Sequence, residues 1–386
     1  MTKNLNSVNE TLMFAASNGY NDIIELMLEK GANVNFKGYE NYTPLMNAVK
    51  SNNLETVKFL LEKGADVNLK NKNNKTALLF SWEEDIIKLL LEHGADVNAK
   101  NQYGITFLFD AVLNGQDKFT DLAIKYGANP NVLSCHGESI LFNAAKLKDT
   151  KILESLLSIK GIDVNIKNKN EDGETALSYA VKQYKIEHVK LLLDAGANPN
   201  TLTSRKMPIL IYAIQYPSYV CDKEKVVNLL LEAGADVNIR NKDDFYPNEI
   251  NDTPLIAAVR KYSLSITNLL LKNKANVNLK NKLGNTALWY AVDKDSKTIA
   301  ESLIKAGANL NIKNNKGWTV LMNAVYKNRL EMVKLLLENG ADVKVKNPIR
   351  KDTALNYVNH SITGIHKEIE ELLKQYSKSK KKERKK

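Results

Sequence analysis

Catalysis or metal ligation in this chain would have to come from two cysteines, five histidines and 44 acidic residues. Cys135 and His136 are adjacent, the one place where a thiol and an imidazole meet, yet no further ligand follows at the short spacing of zinc sites. His93, His188, His360 and His366 stand apart, and no His-Glu-x-x-His pair puts two imidazoles on one helical turn. A phosphate-cradling Gly-x4-Gly-Lys-Ser/Thr loop is absent. Carboxylates such as Glu62, Glu92 and Glu338 fall at equivalent points of a recurring pattern instead of converging. No enzymatic activity, no metal and no cofactor are expected.

What remains is the chemistry of recognition. The formal charge is +11, but Lys378 to Lys386 holds six Lys and one Arg against one Glu, so +6 sits in nine residues and only +5 in the other 377. Such a run could contact nucleic acid or serve as a nuclear-import address, or be a solvated tail. Cys135 and Cys221 belong to different repeats, beyond disulfide reach, so two unbridged thiols, buried or incidental, are expected in a reducing compartment.

The elements that position these groups repeat. A Gly-Ala-Asn/Asp-Val-Asn signature starts at Gly31, Gly64, Gly94, Gly127, Gly161, Gly196, Gly234, Lys274, Gly307 and Gly340, with variations, at a period close to 33 residues. Eight residues after its last Asn, most units show a helix start, as at Thr43-Pro44-Leu45, Thr76-Ala77-Leu78 and Thr286-Ala287-Leu288. Thr caps the free N–H groups of a first turn, and Pro at the first helical position has no N–H to lose. A second apolar segment, Leu54, Val57, Leu60 and Leu61, predicts a second helix ending at Gly64, where a residue without Cβ takes the left-handed conformation. Lys274 breaks that rule and costs about 1 kcal/mol if its φ is positive. Helices of two or three turns do not hold alone in water, so each unit needs its neighbours.

This pattern resembles the ankyrin repeat, over roughly residues 10 to 376. The resemblance implies an all-α solenoid of about eleven helix-turn-helix units, with short β-hairpin fingers and a concave face built from inner helices and fingers. It implies no catalytic residues. The expected domains are a lead at 1–9, the array at 10–376 opening on a polar-edged first unit and closing with a helix around 365–376, and a basic disordered tail at 377–386. Spacing departs in three places. Gly64 to Gly94 is 30 residues, read as a tight inter-helix turn after Trp82. Gly196 to Gly234 is 38 and Gly234 to Lys274 is 40, read as an inter-helix insertion near 215–222 and an elongated finger over 240–252.

The expected function is binding a partner protein, as a scaffold, inhibitor or effector. Two residues past the helix-start Leu stand Phe14, Phe80, Tyr179, Tyr212, Tyr290 and Tyr357, a stripe that either faces the groove or packs between inner helices. Fingers add Tyr39, Tyr42, Tyr103 and Trp318, the last either a contact or a brace for its own finger, and the long finger adds Phe245 and Tyr246, either anchors or part of a loop folded back. Lysines recur on the fingers, at Lys70, Lys72, Lys100, Lys167, Lys169, Lys280, Lys282, Lys313 and Lys316, beside Asn71, Asn101, Asn168, Asn281 and Asn314 where many ankyrin fingers carry Asp. That row suits an acidic protein surface, and with the tail it leaves nucleic acid as the alternative. The chain is expected to act as a monomer. No apolar run approaches the ~20 residues that span a bilayer, and residues 1–10 have no apolar core, so the expected location is cytoplasmic, with secretion as an effector open.

Overall fold

A computed structural model of the chain describes residues 2–169, 173–216, 223–241, 251–358 and 364–383. Among them, eleven two-helix repeats follow one another, and no β-strand is present. They group into two bodies, Met1–Tyr179 with Ala195–Ala197, and Ala180–Asp194 with Asn198–Lys386.

The inner helix of most repeats has seven residues, as in Pro44–Lys50 (repeat 2), Phe107–Leu113 (repeat 4), Ala287–Asp293 (repeat 9) and Val320–Tyr326 (repeat 10). Each of these is capped as the sequence predicts. Thr43 Oγ1 accepts the N–H of Met46 at 3.2 Å, and Thr106, Thr286 and Thr319 repeat the bond. The outer helix, typically nine residues as in Leu54–Glu62, ends at a glycine with positive φ, 85° at Gly64. Lys274 takes φ 63° at the corresponding place, so the glycine conformation is imposed on a residue with a Cβ. The core is the shared apolar face, with Leu45, Ala48, Val57 and Leu60 almost wholly buried.

Side chains of the signature itself join successive repeats. In the first body, Asn35, Asn68, Asn98 and Asn131 each accept, through Oδ1, the N–H of Asp66, Asp96, Asn129 and Asp163 one repeat on, at 2.7 to 2.8 Å. Their Nδ2 groups donate to the carbonyls of Gly64, Gly94, Gly127 and Gly161. In the second body Asn200, Asn238, Asn278 and Asn311 accept the same bond. Each repeat thereby satisfies backbone groups left free where the next outer helix ends.

Four expectations are corrected. Among the described residues the fingers are tight turns without strands, such as the one closed by Asn71 N–H to Lys75 O, in place of β-hairpins, and only Leu133 with Ser139 and Leu202 with Pro208 form isolated antiparallel bridges there. In repeat 3 the three-residue shortening falls on the inner helix, which shrinks to a 3-10 turn at Ala77–Phe80. Trp82, just after that turn, stacks 6.0 Å from Phe107 and lies 5.3 Å from Phe119 of repeat 4. The first helix starts at Thr2, and its unit is not polar-edged: Leu5, Ile23 and Leu26 are exposed. Thr56, equivalent to Ile23, is buried because repeat 1 covers it, its Oγ1 bonding to Asn21 Oδ1. The last helix runs Gly364–Glu383, so the basic run expected to be disordered is helical as far as Glu383. Of the two insertions, 217–222 and 242–250 lie outside the described residues.

Candidate partner-binding surface

The finger turns are built on an asparagine that is buried at Asn71 and Asn281 and half-buried at Asn101 and Asn314. Asn71 Oδ1 accepts the N–H groups of Asn73 and Lys75, and Asn101 those of Tyr103 and Ile105. Asn281 and Asn314 do the same in the second body. A carboxylate oxygen could serve in that place, but an amide closes the turn without bringing a charge. Neighbouring finger tips are also tied by backbone bonds: Lys72 N–H to Glu40 O, Gln102 to Asn73, Cys135 to Tyr103 and Lys169 to Gly137.

The consequence is electrostatic. Lys70, Lys72, Lys100, Lys167 and Lys169 in the first body, and Lys280, Lys282 and Lys316 in the second, are exposed. None forms an ion pair among the described residues, though Lys280 Nζ donates to Lys313 O. Charges on and around the outer helices behave differently, bridging adjacent repeats as Lys63–Glu25, Lys118–Glu84, Lys297–Glu331 and Lys334–Glu368. Lys118 and Lys88 hold the Glu84 carboxyl below the usual carboxylate range, and Lys334 does so for Glu331. Several outer-face cations are thus paired with carboxylates of a neighbouring repeat, while these finger lysines are not.

The aromatic positions divide. Phe14 is 61% exposed and Tyr39 87%, while Tyr103 is exposed at its finger tip. Phe80 is half-buried against Tyr42, ring centroids 5.4 Å apart, with Lys75 over its face. Tyr179 meets Phe142 edge-on, Tyr212 stacks on Tyr216 at 4.4 Å, and Tyr357 lies 4.5 Å from Trp318. Trp318 also contacts Tyr326 of its own inner helix, so it braces its finger while staying half-exposed. Tyr290 leaves the stripe. Only 8% exposed, its hydroxyl accepts from Asn281 Nδ2 at 2.8 Å and its ring carries the Arg260 guanidinium at 5.1 Å, while Arg260 pairs with fully buried Asp252. That network turns Tyr290 inward and leaves it almost no surface to offer. Phe245 and Tyr246 lie outside the described residues.

The sequence reading did not single out Lys50, which sits over Tyr42 at 5.6 Å, nor Glu10 and Glu40 beside the same rings. It also passed over a small cleft in the second body lined by Lys182, Arg205, Tyr212 and Tyr216. Asp110, on the inner helix of repeat 4, is pushed above the usual carboxylate range by burial, against the opposing pull of Lys75 and Asn114. Cys135 is an exposed free thiol, its Sγ 3.3 Å from His136 Nδ1. No grouping of three or more His, Cys, Asp or Glu suited to a metal occurs among the described residues, and no helix there is long and apolar enough to cross a membrane.

Stacked helix pairs joined through a Gly-Ala-Asp-Val-Asn turn, with Thr-capped inner helices, define a helical-repeat scaffold. The family model for ankyrin repeats matches residues 2–71, 64–134, 141–241 and 255–347, and the chain belongs to the ankyrin-repeat family. Ankyrin repeats generally mediate protein–protein interaction. The chain is similar to an ankyrin repeat protein of Acanthamoeba polyphaga mimivirus, 29% identical over 48% of this chain and 22% of that one. It is similar to one of Fowlpox virus, 29% identical over 38% of this chain and 31% of the relative. A nuclear factor NF-kappa-B subunit of Gallus gallus is 32% identical over 36% of this chain and 14% of its own length. The matched stretches cover less than a third of each of these relatives.

Proposed function

We propose that this chain binds a partner protein through its inner helices and fingers, and that the partner sets acidic groups against the finger lysines. The observation that carries this is a difference in charge pairing: outer-face cations such as Lys63, Lys118, Lys297 and Lys334 pair with carboxylates of neighbouring repeats, whereas the finger lysines have no counter-ion among the described residues. Complementary charge across an interface steers encounter and fixes register. The half-exposed rings of Tyr42, Phe80, Tyr179, Tyr212 and Trp318 supply apolar area beside the cations, the side-chain type on which interface energy concentrates.

The test keeps the scaffold and changes the sign of the charge. Asn71→Asp and Asn101→Asp retain the oxygen that closes each finger turn and add a carboxylate beside Lys70, Lys72 and Lys100. A partner captured by affinity from cell lysate is then titrated against the full chain and both variants, with mass-spectrometric crosslinking to place it. Each substitution is expected to weaken binding by about threefold at low salt and less at high salt. Crosslinks falling wholly on the outer helices, or affinity unmoved by both substitutions, would overturn the reading.

A further inference from the structure

Within the first body, a cleft of about 480 Å³ opens between the first helix and the finger of repeat 2, lined by Glu10, Phe14, Tyr39, Glu40, Tyr42 and Lys50. Two of its rings, Phe14 and Tyr39, are the most exposed aromatic side chains among the described residues. Phe14 and Tyr39 stay largely in water, although apolar surface is worth about 25 cal/mol per Å² when covered. Two carboxylates stand at the same opening. Glu10 is on the first helix and Glu40 at the finger tip, and neither is in an ion pair among the described residues, in contrast to Glu25 and Glu84 on the outer helices. The cleft already holds one cation against a π face, Lys50 over Tyr42, and Lys75 lies 5.5 Å over the neighbouring Phe80.

Rings open to solvent beside unneutralised carboxylates are the chemistry that recognises a cation, and a planar one in particular. A guanidinium stacks on an aromatic face and offers a fork of N–H donors to a carboxylate, whereas an ammonium is a compact and more strongly hydrated charge. We infer that this cleft receives an arginine side chain of the partner protein, stacked on Tyr39 or Phe14 and hydrogen-bonded to Glu10 and Glu40. The inference rests on the reading of inner helices and fingers as the partner-binding surface, and adds to it that the partner joins a basic anchor at this cleft to an acidic stretch along the fingers.

The probe is an acetylated and amidated Gly-Gly-Arg-Gly-Gly peptide titrated into the full chain, with NMR signals from the tyrosine rings and from the methyl of Met13, which also lines the cleft, as readout. Citrulline and lysine versions are the controls, since citrulline keeps the shape and removes the charge. Saturable shifts are expected with arginine, about tenfold weaker binding with citrulline and weaker binding with lysine. The double variant Glu10→Gln, Glu40→Gln is expected to lose about tenfold, and Tyr39→Ala several-fold. Lys182→Ala, in the other body, leaves the titration unchanged and controls for non-specific charge effects. Citrulline or lysine binding as well as arginine, no saturable shift, or an unaltered double variant would each overturn the inference. Such a failure leaves the finger-lysine reading standing, because that is measured with the Asn→Asp series on a different partner group.

Discussion

Replacing Asn98 by Ala tests the physical premise of the array, that repeats too small to fold singly are held by bonds to their neighbours. Asn98 Oδ1 accepts the N–H of Asn129 at 2.7 Å and its Nδ2 donates to Gly127 O at 3.2 Å. Both partners belong to the turn of the next repeat, so Asn98→Ala removes two bonds across one junction. Each contributes about 1 kcal/mol net, and water reaching this half-buried site recovers part of the loss, which leaves about 1.5 kcal/mol. That is roughly a tenfold change in the equilibrium for opening the junction. Because stability in a repeat array is close to a sum of unit and nearest-neighbour terms, the loss is expected to be local. Hydrogen–deuterium exchange should show faster exchange in the helices Glu84–Glu92 and Asp117–Lys125 and little change in Asn21–Glu29. Urea unfolding followed by fluorescence supplies the energy. Asn18→Ala is the control: Asn18 is exposed and bonds only to Phe14 O in its own helix, so a change within about 0.5 kcal/mol is expected. Equal destabilisation by the two substitutions, or uniform loss of protection throughout the body, would refute the reasoning.

Two further predictions follow from single residues. Lys274→Gly relieves a positive φ of 63° and should stabilise the second body by about 1 kcal/mol in chemical denaturation. Asp110→Asn should stabilise the first body at neutral pH: burial raises the folded-state pKa above the unfolded one, so the native state holds the proton more tightly, and stability falls as pH rises through that window. The gain over the parent chain should disappear below about pH 4, where Asp110 is protonated in both states, and a pH-independent difference would reject this account.

The scaffold was legible where a residue acts on its own backbone. Thr43 and Thr286 cap the helices expected of them, Gly64 takes its positive φ, and Lys274 adopts the strained conformation anticipated from its place in the signature, whereas Thr76, ahead of a 3-10 turn in place of a full helix, makes no side-chain cap bond. Features that depend on residues about 30 positions away were not. The last Asn of the signature was visible as a repeated letter, but its partner is a backbone group in the following repeat. In repeat 3 the shortened spacing was clear, but whether a turn or a helix gave way depended on Trp82, Phe107 and Phe119 meeting in space. Tyr290 stood in register with Phe14 and Tyr212, and only the convergence of Asp252, Arg260 and Asn281 decided that it turns inward. The Phe14–Tyr39 cleft was half legible, because the rings were picked out while Glu10 and Glu40 read as ordinary surface carboxylates.

The backbone bonds from Lys72 to Glu40, Gln102 to Asn73, Cys135 to Tyr103 and Lys169 to Gly137 make the loops of the first body into a comb with a shared spine. A tooth held on both sides cannot swing alone, so the cations it bears are set in place before anything arrives. Less freedom is then surrendered on docking, and a charge pattern of the wrong spacing finds no loop willing to bend toward it.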